Sequence, residues 1–162
     1  MSRLIATVFL VGHLRPAPGT WGSAVAIPLA WAVHAAGGFW LFFAATVAIT
    51  ALGYWATARA TAGSEDKDPS EIVIDEVAGQ WVALWPVSFG AMMSGASFLA
   101  LWPGIVVAFI AFRAFDILKP GPVGWADRQP GAFGVMADDV IAGWLAAMVV
   151  ALLAVIAHGV LM

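Results

Sequence analysis

Long blocks of this chain carry no Asp, Glu, Lys or Arg: residues 16–58, 77–112 and 140–162, stretches of 43, 36 and 23 residues. A membrane-spanning helix needs about 20 apolar residues, with about 17 as the lower limit. The first two blocks therefore each accommodate a pair of short spans, and the third a single one. Turn signals mark the divisions at His34-Ala35-Ala36-Gly37-Gly38 and at Ser94-Gly95-Ala96-Ser97. The pattern predicts an all-α polytopic membrane helical bundle of about five spans in one domain. The spans fall near residues 23–33 with their flanks, 39–58, 72–92, 98–118 and 139–157, and a short N-terminal surface helix precedes them. Pro28, Pro86 and Pro103 lie inside these spans and read as kinks. Trp21, Trp31, Trp40, Trp102 and Trp144 fall near proposed span ends, where indole rings favour the interface.

Composition agrees with that pattern. Of the 162 residues, 62% are hydrophobic and only 10% charged, with a mean hydropathy of +0.93; soluble proteins carry roughly 25% charged residues. The arrangement of the charges says more than the net −3. Arg3 and Arg15 precede the first span. Arg59, Lys67, Glu65, Asp66, Asp68, Glu71, Asp75 and Glu76 lie between the second and third, and Arg113, Lys119, Arg128, Asp116, Asp127, Asp138 and Asp139 at the junction of the fourth and fifth. Five spans therefore place every charge at one face, and the bias of Arg and Lys makes that face cytoplasmic. Spans one, three and five then begin at the charged face, so three helix N-termini, which favour anions such as phosphate, point to one compartment. There is no basic run for nucleic acid, and zero Cys removes disulfides, thiol nucleophiles and Cys-ligated zinc. The N-terminal MSRLIATVFLVGH lacks a small-residue cleavage site and is expected to remain as a surface helix.

Four segments bring chemistry to the charged face. In Asp68-Pro69-Ser70-Glu71, the acid, proline and second acid suit N-cap, N1 and N3 of a helix. Asp75 and Glu76 then fall a turn further in, among Ile72, Val73, Ile74 and Val77, and Glu71 and Asp75 at i,i+4 share a face suited to one cation. In Phe112-Arg113-Ala114-Phe115-Asp116-Ile117-Leu118-Lys119-Pro120, Arg113, Asp116 and Lys119 line one helical strip, and Lys119 before Pro120 suits a helix C-terminus. An acid near that end, between Phe115 and Ile117, is costly unless a cation or metal pairs with it, which singles out Asp116. Asp138 and Asp139 open the last span. Asp139-Val-Ile-Ala-Gly143 echoes Asp75-Glu-Val-Ala-Gly79, each placing a small residue one turn past an acid, where helices approach closely. The turn Arg15-Pro-Ala-Pro-Gly19-Thr20-Trp-Gly22-Ser23, with Thr20 or Ser23 as a cap, fits a phosphate cradle or a plain helix start equally well. Oxygen-only ligands suit Mg²⁺, which takes one or two carboxylates together with phosphate oxygens. The set favours metal-assisted phosphoryl chemistry on a lipid headgroup.

The same segments, APGTWGS, PSEIVIDEVAGQ, FRAFDILKPGPVGWADR and GVMADDVIAG, resemble in order the motifs of the phosphatidylglycerophosphatase A family. The resemblance runs from about residue 15 to 144. Ala132-Phe133 stands where members often carry Gly-Gly. It implies a multi-pass protein of the bacterial inner membrane that hydrolyses phosphatidylglycerophosphate to phosphatidylglycerol and phosphate at the cytoplasmic face, with Mg²⁺. On that reading Glu71, Asp75, Asp138 and Asp139 hold the metal with Glu76 in support, and Asp116 serves as base or further ligand, with Asp75 and Asp139 also counted among the catalytic residues. Thr20, Arg113, Lys119 and Arg128 face the phosphate and headgroup. The alternative is a cation-transporting membrane protein using the same carboxylates. That protein would distribute acids through the membrane depth, whereas here no span carries a charge beyond one end. The sequence is silent on oligomeric state.

Overall fold

A computed structural model describes residues 1–63 and 69–161, with side chains to residue 157. Its helices are α1 (Ser2–Ala6), α2 (Pro18–Ala60), α3 (Ile74–Ala83), α4 (Trp85–Ser94), α5 (Trp102–Leu118), α6 (Pro122–Asp127) and α7 (Gly131–Leu161), with 3₁₀ turns at Val11–His13 and Phe98–Leu101. No strand occurs among the described residues. Three helical stretches, Pro18–Ala60, Phe98–Leu118 and Gly131–Ala157, are long and apolar enough to cross a membrane.

α2 is not one rod. Gly37 and Gly38 leave helical geometry, and Gly38 takes φ 68° and ψ −160°, a region open to glycine because it has no Cβ. Trp81 shows the consequence. Its Nε1 donates to the carbonyl of Ala26 at 2.8 Å, while its ring packs on Phe42 with centroids 5.3 Å apart. In a straight helix those two partners would lie about 24 Å apart at 1.5 Å per residue. α2 therefore folds back into two antiparallel arms, at the glycine pair the sequence marks as a turn.

The stretch 72–92 is not one continuous helix. α3 and α4 meet at Leu84, where hydrogen bonds from Leu84 N to Gln80 O and from Ser88 N to Leu84 O carry the ladder across a kink beside Pro86, which has no N–H to give. α3 also begins later than its acids suggest. Ser70 and Glu71 lie in a turn ahead of it, so Glu71 and Asp75 share no helix face, and Asp75 and Glu76 belong to its first turn. The expected cap at Asp68 lies outside the described residues. α7, by contrast, begins at Gly131, so Asp138 and Asp139 sit in its third turn and do not open it. α5 ends where expected, at Leu118, with Lys119 in the left-handed conformation at φ 46°.

Nine of the ten residues of α3 are buried, which makes it the centre of the bundle, packed on α2, α5 and α7. Two glycines set how closely it meets α7. A Cβ on Gly143 would fall on the carbonyl oxygen of Gly79, and a Cβ on Gly79 would stand 2.5 Å from both Asp139 O and the Phe112 ring. The backbones touch because neither position has a side chain, and the contact lays the first turn of α3 beside Asp139. Gly143→Val should lower the thermal midpoint in detergent by about 5 °C or more, from overpacking worth about 1–3 kcal/mol. Helix propensity alone would favour a side chain over glycine there by a few tenths of a kcal/mol, so an unchanged or raised midpoint would contradict the close crossing. Two polar pairs deeper in the bundle satisfy each other, His34 Nδ1 at 2.7 Å from Ser88 Oγ and Trp85 Nε1 donating to Thr46 Oγ1 at 3.2 Å, whereas the amide of the fully buried Gln80 has no hydrogen-bond partner among the described residues.

Candidate active site

The first turn of α2, the lead into α3, the end of α5 and the third turn of α7 converge on a cavity of about 320 Å³. Five carboxylates line it, Asp75, Glu76, Asp116, Asp138 and Asp139, against two cations, Arg113 and Lys119. The imbalance leaves an excess of negative charge in a partly enclosed site, and buried charge needs a partner of opposite sign.

Two groups of three acids form there: Asp75, Glu76 and Asp139, and Asp116, Asp138 and Asp139, each with oxygens within 4.8 Å of one another. Asp139 belongs to both. Adjacent acids on α3 supply one side, adjacent acids on α7 the other, and Asp116 closes the set from the last turn of α5. Asp138 Oδ1 accepts from the backbone N–H of Asp139 at 2.9 Å, which fixes its carboxylate against its own helix. Glu76 Oε2 is shielded from solvent and has no hydrogen-bond partner among the described residues. All-oxygen donors, excess negative charge and an orphaned carboxylate oxygen together fit a hard divalent cation such as Mg²⁺.

Arg113 lies against these groups. Its Nη1 is 2.5 Å from Asp116 Oδ2 and 3.5 Å from Ser23 Oγ, so the expected i,i+3 pair forms. The same Nη1 would lie 3.2 Å from a Cβ on Gly19, and that Cβ would also meet Glu76 Oε1. Glycine at the start of α2 thus lets the helix backbone approach both an acid and the guanidinium. Lys119 leaves the helical strip. Its ammonium binds Asp127 and, at 2.8 Å, Asp138. Burial alone would lower its pKa, but the hydrogen bonds to Asp138 and Asp127 hold it well above the usual lysine range.

The remaining expected site residues stand apart from this cavity. Glu71 forms an ion pair with Arg3 at 3.0 Å, and that hydrogen bond holds its carboxyl below the usual carboxylate range. Thr20 is in the first turn of α2 and does not line the cavity. Neither it nor Ser23 caps the helix, whose N-cap is Ala17 with no side-chain cap; Ser23 Oγ instead donates to Gly19 O at 2.8 Å. Arg128 is exposed outside the lining. Conversely, Ser70, Gly19 and the Lys119 partner Asp127 were not singled out by the sequence reading. Gly19 had a legible signal, a glycine one residue into a proline-started helix; the pairing of Asp127 had none, because it depends on how α6 folds back.

The family model for phosphatidylglycerophosphatase A matches residues 4–154 of the chain. A phosphatidylglycerophosphatase A of Haemophilus influenzae is 36% identical over 148 residues, covering 91% of this chain and 85% of the relative. A putative phosphatidylinositol-3-phosphatase of Bacteroides thetaiotaomicron is 35% identical over 144 residues, covering 86% and 85%. The phosphatidylglycerophosphatase A of Escherichia coli K12 is 29% identical over 145 residues, covering 89% and 78%. No solved structure matches.

Proposed function

Because the chain belongs to the phosphatidylglycerophosphatase A family, whose activity is phosphoric monoester hydrolysis, we propose that it releases phosphate from phosphatidylglycerophosphate with Mg²⁺, at the cytoplasmic face of a bacterial inner membrane. The observation that carries this reading is the pair of carboxylate groups joined at Asp139 and faced by Arg113. Asp75, Glu76, Asp138 and Asp139 would hold the metal, which when bound would polarise the phosphate and offset charge developing on its oxygens.

The chain's own groups do the rest. Arg113 and the first-turn N–H groups of α2 hold phosphoryl oxygens, the guanidinium by its fork and the helix start by its dipole. Asp116, poised beside Arg113, takes the proton of the attacking water as the new bond to phosphorus forms. The bond from phosphorus to the glycerol oxygen breaks, and the proton passes to that oxygen, leaving phosphatidylglycerol and inorganic phosphate. Lys119 keeps Asp138 oriented through its ion pair. The arginines that precede α2, Arg3 and Arg15, support a cytoplasmic placement of this end of the bundle.

Chelation tests the metal. Phosphate release from phosphatidylglycerophosphate in mixed micelles should fall at least about 100-fold in EDTA and return with Mg²⁺, since the cation supplies several kcal/mol of transition-state stabilisation. Activity indifferent to chelation would remove the metal from the mechanism. Phosphatidylinositol 3-phosphate, assayed in parallel, tests the headgroup; equal turnover of both lipids would overturn the assignment of substrate.

A further inference from the structure

The segment before α2 is built in a way that the hydrolytic reading does not use. Val8, Phe9 and Leu10 are three consecutive non-glycine residues with positive φ, 47°, 51° and 75°, a conformation L residues adopt only when the surroundings impose it. Here Ala6, Thr7 and Val8 are buried, and Leu10 N and Gly12 N donate to Thr7 Oγ1 and Thr7 O. The result is to turn Phe9 and Leu10 outward, 74% and 59% exposed, beside a half-exposed Leu14. Residues 1–17 also contain Arg3, His13 and Arg15 and no acid.

The inward side of the same turn grips the lead into α3. Ala6 O accepts from Val73 N at 2.9 Å, Arg3 pairs with Glu71 at 3.0 Å, and Gly12 is pressed against the Glu71 carbonyl so closely that no Cβ would fit. Val73 is the N-cap of α3, and Asp75 and Glu76 follow within its first turn.

We propose that residues 1–17 are an interfacial anchor, with Phe9 and Leu10 seated at the boundary of headgroups and acyl chains of an anionic leaflet, and that this seating holds residues 71–73 and thereby positions Asp75 and Glu76. Bilayer is the fitting occupant on two counts. The segment runs directly into α2, one of the three helical stretches with membrane-crossing character, and its charge is entirely basic, which suits acidic headgroups around an apolar tip. The catalytic consequence rests on the reading above; the anchoring does not.

The chain has no cysteine, so Phe9→Cys, Leu10→Cys and, as a water-exposed control, Ala62→Cys can each carry a single fluorescent label. In vesicles of phosphatidylcholine and phosphatidylserine, a lipid-borne quencher should reduce emission at positions 9 and 10 about threefold more than at 62, with aqueous iodide showing the reverse order. Positions 9 and 10 quenched like 62 would overturn the anchor. Shielding from both quenchers would also overturn it, since another protein surface or a second copy would then cover the turn. The coupling is read by hydrogen exchange in the same vesicles. In the Phe9→Gln/Leu10→Gln variant, amides 72–76 should exchange about tenfold faster while those of α5 keep their protection. Unchanged exchange at 72–76, or loss of protection that extends to α5, would overturn the coupling. Neither readout involves phosphate release, so failure here and failure of the hydrolytic reading are separate results.

Discussion

Asp139→Asn should lower kcat/KM for phosphate release at least about 1,000-fold, a loss of roughly 4 kcal/mol of transition-state stabilisation. Asp139 is the only acid shared by both carboxylate groups, and it is buried. Asparagine keeps its shape and one oxygen but removes the charge, so both groups lose a ligand of the kind a hard cation requires. The backbone contact of Asp139 with Gly79 is untouched by the change, and the helical circular dichroism and thermal midpoint should stay near those of the parent. Raised Mg²⁺ should recover part of the activity if the loss is one of metal affinity. Glu71→Gln is the informative contrast. Glu71 pairs with Arg3 away from the cluster, and exposed pairs of that kind contribute about 0–1 kcal/mol. Its activity should therefore change less than about fivefold. A large loss at Glu71 with little at Asp139 would invert the assignment of ligands.

Arg113→Lys should cost about 100- to 1,000-fold in kcat/KM, the range for removing one preorganised donor from developing charge. The change keeps a cation near Asp116, so it isolates what the guanidinium adds. Arg113 reaches Asp116 and Ser23 with one nitrogen and lies beside Glu76 across Gly19. A compact ammonium on a shorter reach has no fork to span those positions while also meeting a phosphate. Arg113→Met should be worse still, because it leaves Asp116, whose side chain is only 14% exposed, with no cation beside it. The loss should fall on kcat more than on KM if the guanidinium acts on the transition state. Wild-type rates in Arg113→Lys would mean that charge alone suffices and that the phosphate is held elsewhere.

Some of this was written in the chain itself. The apolar blocks, the glycine pair at 37–38, the end of α5 at Lys119 and the recurrence of a small residue four past an acid are local signals. Each acts through a cause that operates within a few residues: solvent transfer of apolar side chains, the conformational freedom of Gly38, the missing N–H of proline. The acids that line the cavity were legible for the same reason, since a carboxylate beside an apolar span needs a partner wherever the helix goes. Helix starts were not. Glu71 looked like a helical neighbour of Asp75, yet the N-terminal turn holds it outside α3 through Arg3, Ala6 and Gly12. Asp138 and Asp139 looked like the opening of a span, yet α7 starts two turns earlier, at Gly131. Spacing along the chain likewise placed Lys119 in a strip with Arg113, whereas α6 and α7 take it for Asp127 and Asp138. The sequence by itself determined an apolar helical bundle and the acids it has to satisfy. That the acids of α3 and α7 meet was decided by the contact of Gly79 with Gly143, because convergence depends on how near two backbones can come, and that distance is a property of the packed pair.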